Sequence, residues 1–377
     1  MTCHETLLHD AGNTQRKNGC QGCSYLGNQT ENCGVPDIKS SHVGIRMENC
    51  CVPDIENTPT VNYCSHISPN GVNGDGARNV IVERFPVEFE GYTYQGWIAY
   101  SRECLQKPAP LVMVYPNYAG LKQFDIDMAA FIAQLGYVGV AVDLYPTTNY
   151  PMSDRNPPAG CSKQTVLDHF NGSFKSYNSR LRDPVRWRAL QSLYLEQARA
   201  HTTVHPVYAG AIGYCFGGQC ILEMVRNGDE VQGVVSFHGV LQSDPLVEPF
   251  DFSKGVNLVY TKLEESQKAP NRHNKDTKIL ILNGELDSLV TQREINLFES
   301  EMHDAGVKDW QFHTYSGTEH GFALPPGVFL NSFSRVADRR STLAMIEFFK
   351  ELWPEFPPRW VKMNAAGTNL EYHESKL

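Results

Sequence analysis

Val207-Tyr-Ala-Gly-Ala-Ile-Gly-Tyr-Cys-Phe-Gly-Gly-Gln-Cys-Ile-Leu222 is the stretch on which the reading of the whole chain turns. Val207–Ile212 is an apolar run of strand length, and Gln219–Arg226 reads as a helix. Between them lies Gly213-Tyr-Cys-Phe-Gly-Gly218, a G-x-nucleophile-x-G elbow with Cys in the place of Ser. Small residues flank a nucleophile in such an elbow because the strand-to-helix turn leaves no room for side chains. The turn sets the sulfur above a sheet, at a helix N-terminus whose partial positive charge favours thiolate. The competing reading is a glycine-rich turn holding a buried cysteine, since Cys is among the most buried residue types.

Working outward, apolar strands alternate with amphipathic helices. Asn79–Val87 and Tyr92–Tyr100 read as an opening hairpin around Gly91. The spacing then predicts strands at Leu111–Tyr115, Val138–Val142, Val231–Phe237, Ile279–Asn283 and Gln311–Tyr315. Helices are expected at Phe124–Leu135, Asp183–Ala200 (with Pro184 near its start), Thr291–Ala305 and Val336–Phe349. This alternation implies an α/β fold, a mostly parallel sheet with helices on both faces. In such folds ligands bind beyond the carboxyl ends of the strands.

Composition bounds the function. The chain has 377 residues, 41% hydrophobic and 20% charged, with a net charge of −9. A core of useful size is therefore expected, in one catalytic domain at 79–355. The acidic balance, without a long Lys/Arg run, argues against nucleic-acid binding. No apolar run approaches the ~18 residues a membrane helix needs, so no membrane partner is expected. The first residues lack the basic and apolar regions of a secretory signal.

A cysteine nucleophile needs a base, and the base an orienting acid. Strand Ile279–Asn283 runs into Gly284-Glu-Leu-Asp287, and strand Gln311–Tyr315 into Gly317-Thr-Glu-His-Gly-Phe322. The order Cys215, Asp287, His320 is the nucleophile–acid–histidine order of α/β-hydrolases, each residue following a successive strand. Glu285 is a rival carboxylate, and Asp287 has a competing reading as a helix N-cap. Two N–H donors for a developing oxyanion are expected, from Phe216 just after the nucleophile and from Tyr118 in Pro116-Asn-Tyr-Ala-Gly120.

These residues resemble the dienelactone hydrolase family of α/β-hydrolases. The likeness runs from about Asn79 to Trp353. It rests on the PNYAG loop, Gly136-Tyr-Val-Gly-Val-Ala-Val-Asp-Leu-Tyr145, the GYCFGG elbow, Val235-Ser-Phe-His-Gly239, and the GELD and EHGF turns. The resemblance implies an α/β-hydrolase fold, a Cys215–His320–Asp287 triad, Tyr118 and Phe216 as oxyanion donors, and no metal or organic cofactor. Two departures stand out. Better-known members carry a Glu at the position of Asn117, where it helps to activate the thiol; Asn cannot accept a proton. They also hold the substrate's carboxylate with an Arg soon after the histidine, where this chain reads Gly321-Phe-Ala-Leu324. That argues against dienelactone itself as substrate. Candidates for the pocket are Asn117 and, as cations from the preceding helix, Arg182, Arg186 or Arg188, whose competing reading is a solvated helix face. The long connections Tyr145–Arg180 and Leu241–Lys278 are read either as pocket walls or as surface decoration.

Residues 1–78 read as an irregular, Cys-rich N-terminal extension. It carries seven of the 11 cysteines (Cys3, Cys20, Cys23, Cys33, Cys50, Cys51, Cys64) and a short duplication, Glu31–Ile38 repeated as Glu48–Ile55. With His42 and His66 these thiols offer zinc ligands, but their spacing matches no familiar finger, and reduced thiols are the expectation. A polar tail at 356–377 ends in Ser375-Lys-Leu377, a peroxisomal import address. It implies an import receptor reading Ser375, Lys376 and Leu377, and location in the peroxisomal matrix; without that address the expected location is cytoplasmic. The function expected is hydrolysis of a small-molecule ester, lactone or thioester through a Cys215 acyl-enzyme. Its rivals are a peroxisomal acyl-CoA thioesterase or acyltransferase and a non-catalytic binding protein that keeps the fold.

Overall fold

Val112, Met113 and Val114 are wholly shielded from solvent, as are Val138, Val140 and Ala141. Continuous apolar runs of this kind are what parallel strands need when both faces are covered. In a computed structural model the described residues are 80–147, 182–244, 261–325, 332–363 and 370–373, with isolated positions between 155 and 180. The opening hairpin is β1 (Val80–Phe89) and β2 (Tyr92–Ser101). It is followed by β3 (Ala109–Tyr115), α1 (Gln123–Gln134), β4 (Val138–Ala141), α2 (Pro184–Arg199), β5 (Val204–Tyr214) and α3 (Phe216–Asn227). Then come β6 (Gly233–Phe237), β7 (Lys278–Gly284), α4 (Gln292–Ala305), β8 (Trp310–Tyr315) and α5 (Arg335–Leu352). Eight strands form one sheet in the order β1-β2-β4-β3-β5-β6-β7-β8. β2 runs antiparallel to both β1 and β4, and every pairing from β4 to β8 is parallel. This is the expected α/β-hydrolase architecture.

The register explains the layering. Gly139, Val112, Gly210 and Gly233 pair side by side across β4, β3, β5 and β6, so they share one face. A Cβ at Gly139 would lie 2.3 Å from the Ala129 carbonyl oxygen of α1. Gly210 faces Phe349 and Trp353, and Gly233 faces Phe348 and Leu352. The row of small residues thus lets α1 and α5 lie close on this face. The opposite face takes α2 against β2 at Gly96, where a Cβ would stand 3.0 Å from the Tyr194 ring.

α3 is bound to its neighbours by buried charge. Glu223 of α3 pairs with Arg188 of α2 at 2.6 Å and with Arg226 at 2.8 Å, and Arg226 pairs with Glu301 of α4 at 2.6 Å. Burial alone would raise the Glu223 carboxyl, but Arg226 and Arg188 outweigh it and hold the group below its usual range. Asp183 caps α2 by accepting the Arg186 N–H at 3.2 Å, with Pro184 in the first turn.

Several boundaries differ from expectation. β5 starts at Val204, before Pro206, because Ala109 pairs with Val204 while Leu111 pairs with Ala209. The surplus residues bulge out, and a bulge tolerates proline. α3 begins at Phe216 instead of Gln219, its two glycines forming the first turn. Within 356–377, part of the chain is described. Arg359 donates its N–H to the Leu135 carbonyl, Tyr137 donates to the Phe356 carbonyl, and strands β9 (Trp360–Met363) and β10 (Leu370–His373) pair antiparallel. Residues 1–78, with their seven cysteines, and Ser375–Leu377 lie outside the described residues. Among the described residues no helix is long and apolar enough to cross a membrane.

Glu223→Gln leaves two buried guanidinium groups short of a counter-charge. It should lower the unfolding free energy in urea by about 3–5 kcal/mol; an unchanged midpoint would show that Glu301 alone neutralises the cluster.

Candidate active site

The order of the strands reverses around β3, with β4 on one side of it and β5 on the other. The crevice beyond the carboxyl ends of β3 and β5 is therefore the topological switch point where such sheets take ligands. Two segments border it, the elbow after β5 and the loop 116–122 after β3. The elbow is tightly jammed. A Cβ on Gly213 would fall 2.0 Å from the Gly217 carbonyl oxygen, and one on Gly217 would fall 2.2 Å from the Tyr115 carbonyl oxygen. No side chain larger than hydrogen fits at either position, and the β3 loop is thereby pressed against the start of α3.

Cys215 occupies the apex with φ +55° and ψ −111°, a conformation that costs a non-glycine residue about 1–3 kcal/mol. The surrounding backbone holds it there. Its N–H donates to the Phe237 carbonyl at 3.0 Å, and its carbonyl accepts from Gly218 at 3.0 Å and Val240 at 3.3 Å. The side chain is buried and sits at the N-terminus of a 12-residue helix. Phe216, the first residue of that helix, has an N–H with no partner within the helix by geometry. Its ring is fixed by Trp187, stacked at 5.4 Å, and by Tyr177, edge-on at 4.8 Å.

His320 follows β8 and is buried. Its Nδ1 lies 2.8 Å from Asp287 Oδ2, so Nδ1 carries the proton it donates. The other carboxylate oxygen of Asp287 accepts the N–H groups of Leu289 at 2.8 Å and Val290 at 3.2 Å. Asp287 thus caps its own turn and orients the imidazole at once. Glu285, the rival, is exposed and accepts from Ser316 Oγ at 2.7 Å and the Gly317 N–H at 2.8 Å; those bonds hold its carboxyl below the usual range. Burial disfavours charge on His320, but Asp287 and then Cys215 on either side outweigh it and raise its pKa to about 10. The fold therefore brings Cys215, His320 and Asp287 together.

In the loop after β3, Asn117 and Tyr118 are both buried. Asn117 Oδ1 accepts the Ala119 N–H at 2.9 Å. The arginine expectations are revised. Arg186 pairs with Glu90 at 2.5 Å and covers the Tyr92 ring at the tip of the first hairpin, because α2 starts beside that hairpin. Arg188 is consumed by Glu223 and by Asn271 at 2.8 Å. Arg182 is exposed just ahead of α2. Among the described residues no group of three or more His, Cys, Asp and Glu converges as metal ligands.

Two contributors escape a reading of the sequence. His238, after β6, is fully buried at φ +41°. It packs edge-on against His320 at 5.1 Å and Phe322 at 5.2 Å. Burial, and secondarily the charge of His320, push its pKa well down, so it stands there as a neutral ring. Tyr145, at the start of a long connection, lies against the loop after β3, its hydroxyl donating to the Tyr118 carbonyl. The Gly136–Tyr145 run that carries the family resemblance contains it, without giving it a role.

Known proteins support the fold. A carboxymethylenebutenolidase from Pseudomonas sp. (strain P51) is 29% identical over 180 residues, 44% of this chain and 69% of that one. An uncharacterized protein of Caenorhabditis elegans is 29% identical over 150 residues, 38% of this chain and 78% of that one. Among solved structures, a dienelactone hydrolase-like promiscuous phosphotriesterase, P91, from metagenomic libraries superposes with a TM-score of 0.52 at 22% identity. That match covers 73% of this chain and 99% of the other. The family model of the dienelactone hydrolases aligns from residue 96, in β2, to residue 353, at the end of α5. That span takes in each strand from β2 to β8 and all three residues at the crevice, and the chain belongs to the dienelactone hydrolase family.

Proposed function

We propose that the chain hydrolyses an ester or lactone of a small organic acid through an acyl-enzyme on Cys215. The observation that carries this reading is the 2.8 Å bond from His320 to Asp287 in the crevice occupied by the strained Cys215. His320, oriented by Asp287, takes the Cys215 thiol proton as general base. The sulfur attacks the acyl carbon, a C–S bond forms, and the carbonyl π electrons move to oxygen. The N–H groups of Phe216 and Tyr118 receive that oxyanion. When it collapses, the C–O bond to the leaving group breaks and His320 gives the departing alkoxide its proton. Water then enters, His320 takes its proton, and hydroxide attacks the thioester. Collapse of the second oxyanion releases the acid, and the departing sulfur takes its proton back from His320.

Family membership and the carboxymethylenebutenolidase relative support ester or lactone chemistry. The departures at Asn117 and at Gly321–Leu324 support a substrate other than dienelactone. An acyl-CoA thioester would use the same steps, so release of CoA is measured beside release of an aryl alcohol.

Cys215→Ala should lower kcat/KM for a lactone or aryl ester by more than about 10³-fold, and full retained activity would overturn the assignment. The alkaline limb of the rate profile should report loss of the His320 proton near pH 10. Asp287 raises that pKa, so Asp287→Asn should shift the limb down toward the ordinary histidine range and cut kcat by about 10²–10⁴-fold. A limb that stays in place would remove Asp287 from the role.

A further inference from the structure

We infer that Tyr145 and Asn117 are positioning residues that set the oxyanion hole by locking the Tyr118–Ala119 peptide from both ends. The inference rests on the acyl-transfer reading above and extends it to residues which that reading does not use.

The carbonyl of Tyr118 and the N–H of Ala119 belong to the same peptide, which turns as a rigid plate. Tyr145 Oη donates to the Tyr118 carbonyl at 2.7 Å, and Asn117 Oδ1 accepts the Ala119 N–H at 2.9 Å. With both edges held, the plate cannot rotate. The main chain of Asn117 closes the same turn by accepting the Gly120 N–H at 2.9 Å. The peptide before the plate, which carries the Tyr118 N–H, is thereby fixed in direction. That direction decides whether an oxyanion above Cys215 meets a donor, since a hole works only with donors already aimed.

Tyr145 is itself held from behind. A Cβ at Gly120, which sits at φ +80°, would lie 2.4 Å from Cδ2 of the Tyr145 ring, so the ring lies directly on the loop where only glycine fits. Its N–H donates to Asp143 Oδ1 at 3.1 Å, and its carbonyl accepts from Arg155 Nη2 at 3.2 Å. Arg155 in turn grips both oxygens of Asp143, at 2.9 and 3.0 Å, and donates to the Leu121 carbonyl at 3.1 Å. Asn117, Tyr118, Asp143, Tyr145 and Arg155 are all buried, where water does not compete for these bonds. The clamp joins the end of β4 to the loop after β3, and that loop abuts the elbow at Gly217. It also gives Asn117 a task at the loop, at the position where better-known relatives place a Glu that works on the thiol.

The test separates the hole from the nucleophile. Alkylation of Cys215 by iodoacetamide occurs at a saturated carbon and develops no oxyanion, whereas acylation by p-nitrophenyl acetate does. Tyr145→Phe keeps the ring and removes the donor. In the full-length protein it should lower kcat by about 10²-fold, as loss of one oxyanion donor does, with KM and the alkylation rate unchanged. Affinity for an aryl trifluoromethyl ketone, which leaves an oxyanion on the sulfur adduct, should fall by a similar factor. Asn117→Leu should behave in the same way, and Asn117→Ser, whose hydroxyl also closes such a turn, should recover part of the loss. Unchanged kcat and ketone affinity in Tyr145→Phe would overturn the clamp. So would a kcat loss matched by slower alkylation, which marks a general structural role. Activity that survives Cys215→Ala would instead overturn the acyl-enzyme reading beneath it.

Discussion

The backbone contact at Gly217 governs the rest of the site. With the Tyr115 carbonyl oxygen only 2.2 Å from where a Cβ would stand, the end of β3, the start of α3 and the apex between them form one close-packed object. Packing that tight admits no independent adjustment of its parts. Cys215 is kept at positive φ because its N–H and carbonyl are tied to β6, to the segment after it and to α3. The strain of the apex is small beside the packing that surrounds it. The same contact sets the β3 loop next to the sulfur, so Cys215 and the N–H groups proposed to receive the oxyanion share a single rigid frame. The proposed reaction would then need little rearrangement there, which is the condition under which preorganised dipoles act most strongly.

Around that frame, besides the Asp143–Arg155 pair, lie two further buried charge systems. One is the chain Cys215–His320–Asp287, in which burial opposes the charge on His320, and Asp287 and then Cys215 override it. His238 lines the histidine with a ring that burial keeps neutral, so it adds packing without a competing charge. The other system ties α2, α3 and α4 together through Arg188, Glu223, Arg226 and Glu301. It carries no chemistry, and it fixes the helix whose N-terminus faces the sulfur.

Much of this was legible in the amino-acid order. Leu111–Tyr115 and Ile279–Asn283 read as strands because strands buried on both faces are continuously apolar. The elbow declared itself because few other structures need glycines on both sides of a cysteine at a strand–helix junction. Harder features depend on contacts far apart in the chain. Asp287 and Glu285 are equivalent on paper, and only the turns after β7 and β8 direct one inward and the other to Ser316. Arg186 resembled a pocket cation until the first hairpin supplied Glu90. The early start of β5 was hidden by Pro206, which a bulge accommodates. Tyr145 acts on a peptide 27 residues away, a relation that no local pattern encodes.

The central claim is a covalent acyl group on Cys215. Mass spectrometry of the intact protein, quenched during turnover of a slowly deacylating aryl ester and then digested, tests it most directly. The account predicts a mass gain of one acyl group on the peptide containing Cys215, lost on longer incubation and absent from Cys215→Ala. Turnover with an acyl group on another residue, or with no adduct on Cys215 when deacylation limits the rate, would contradict it.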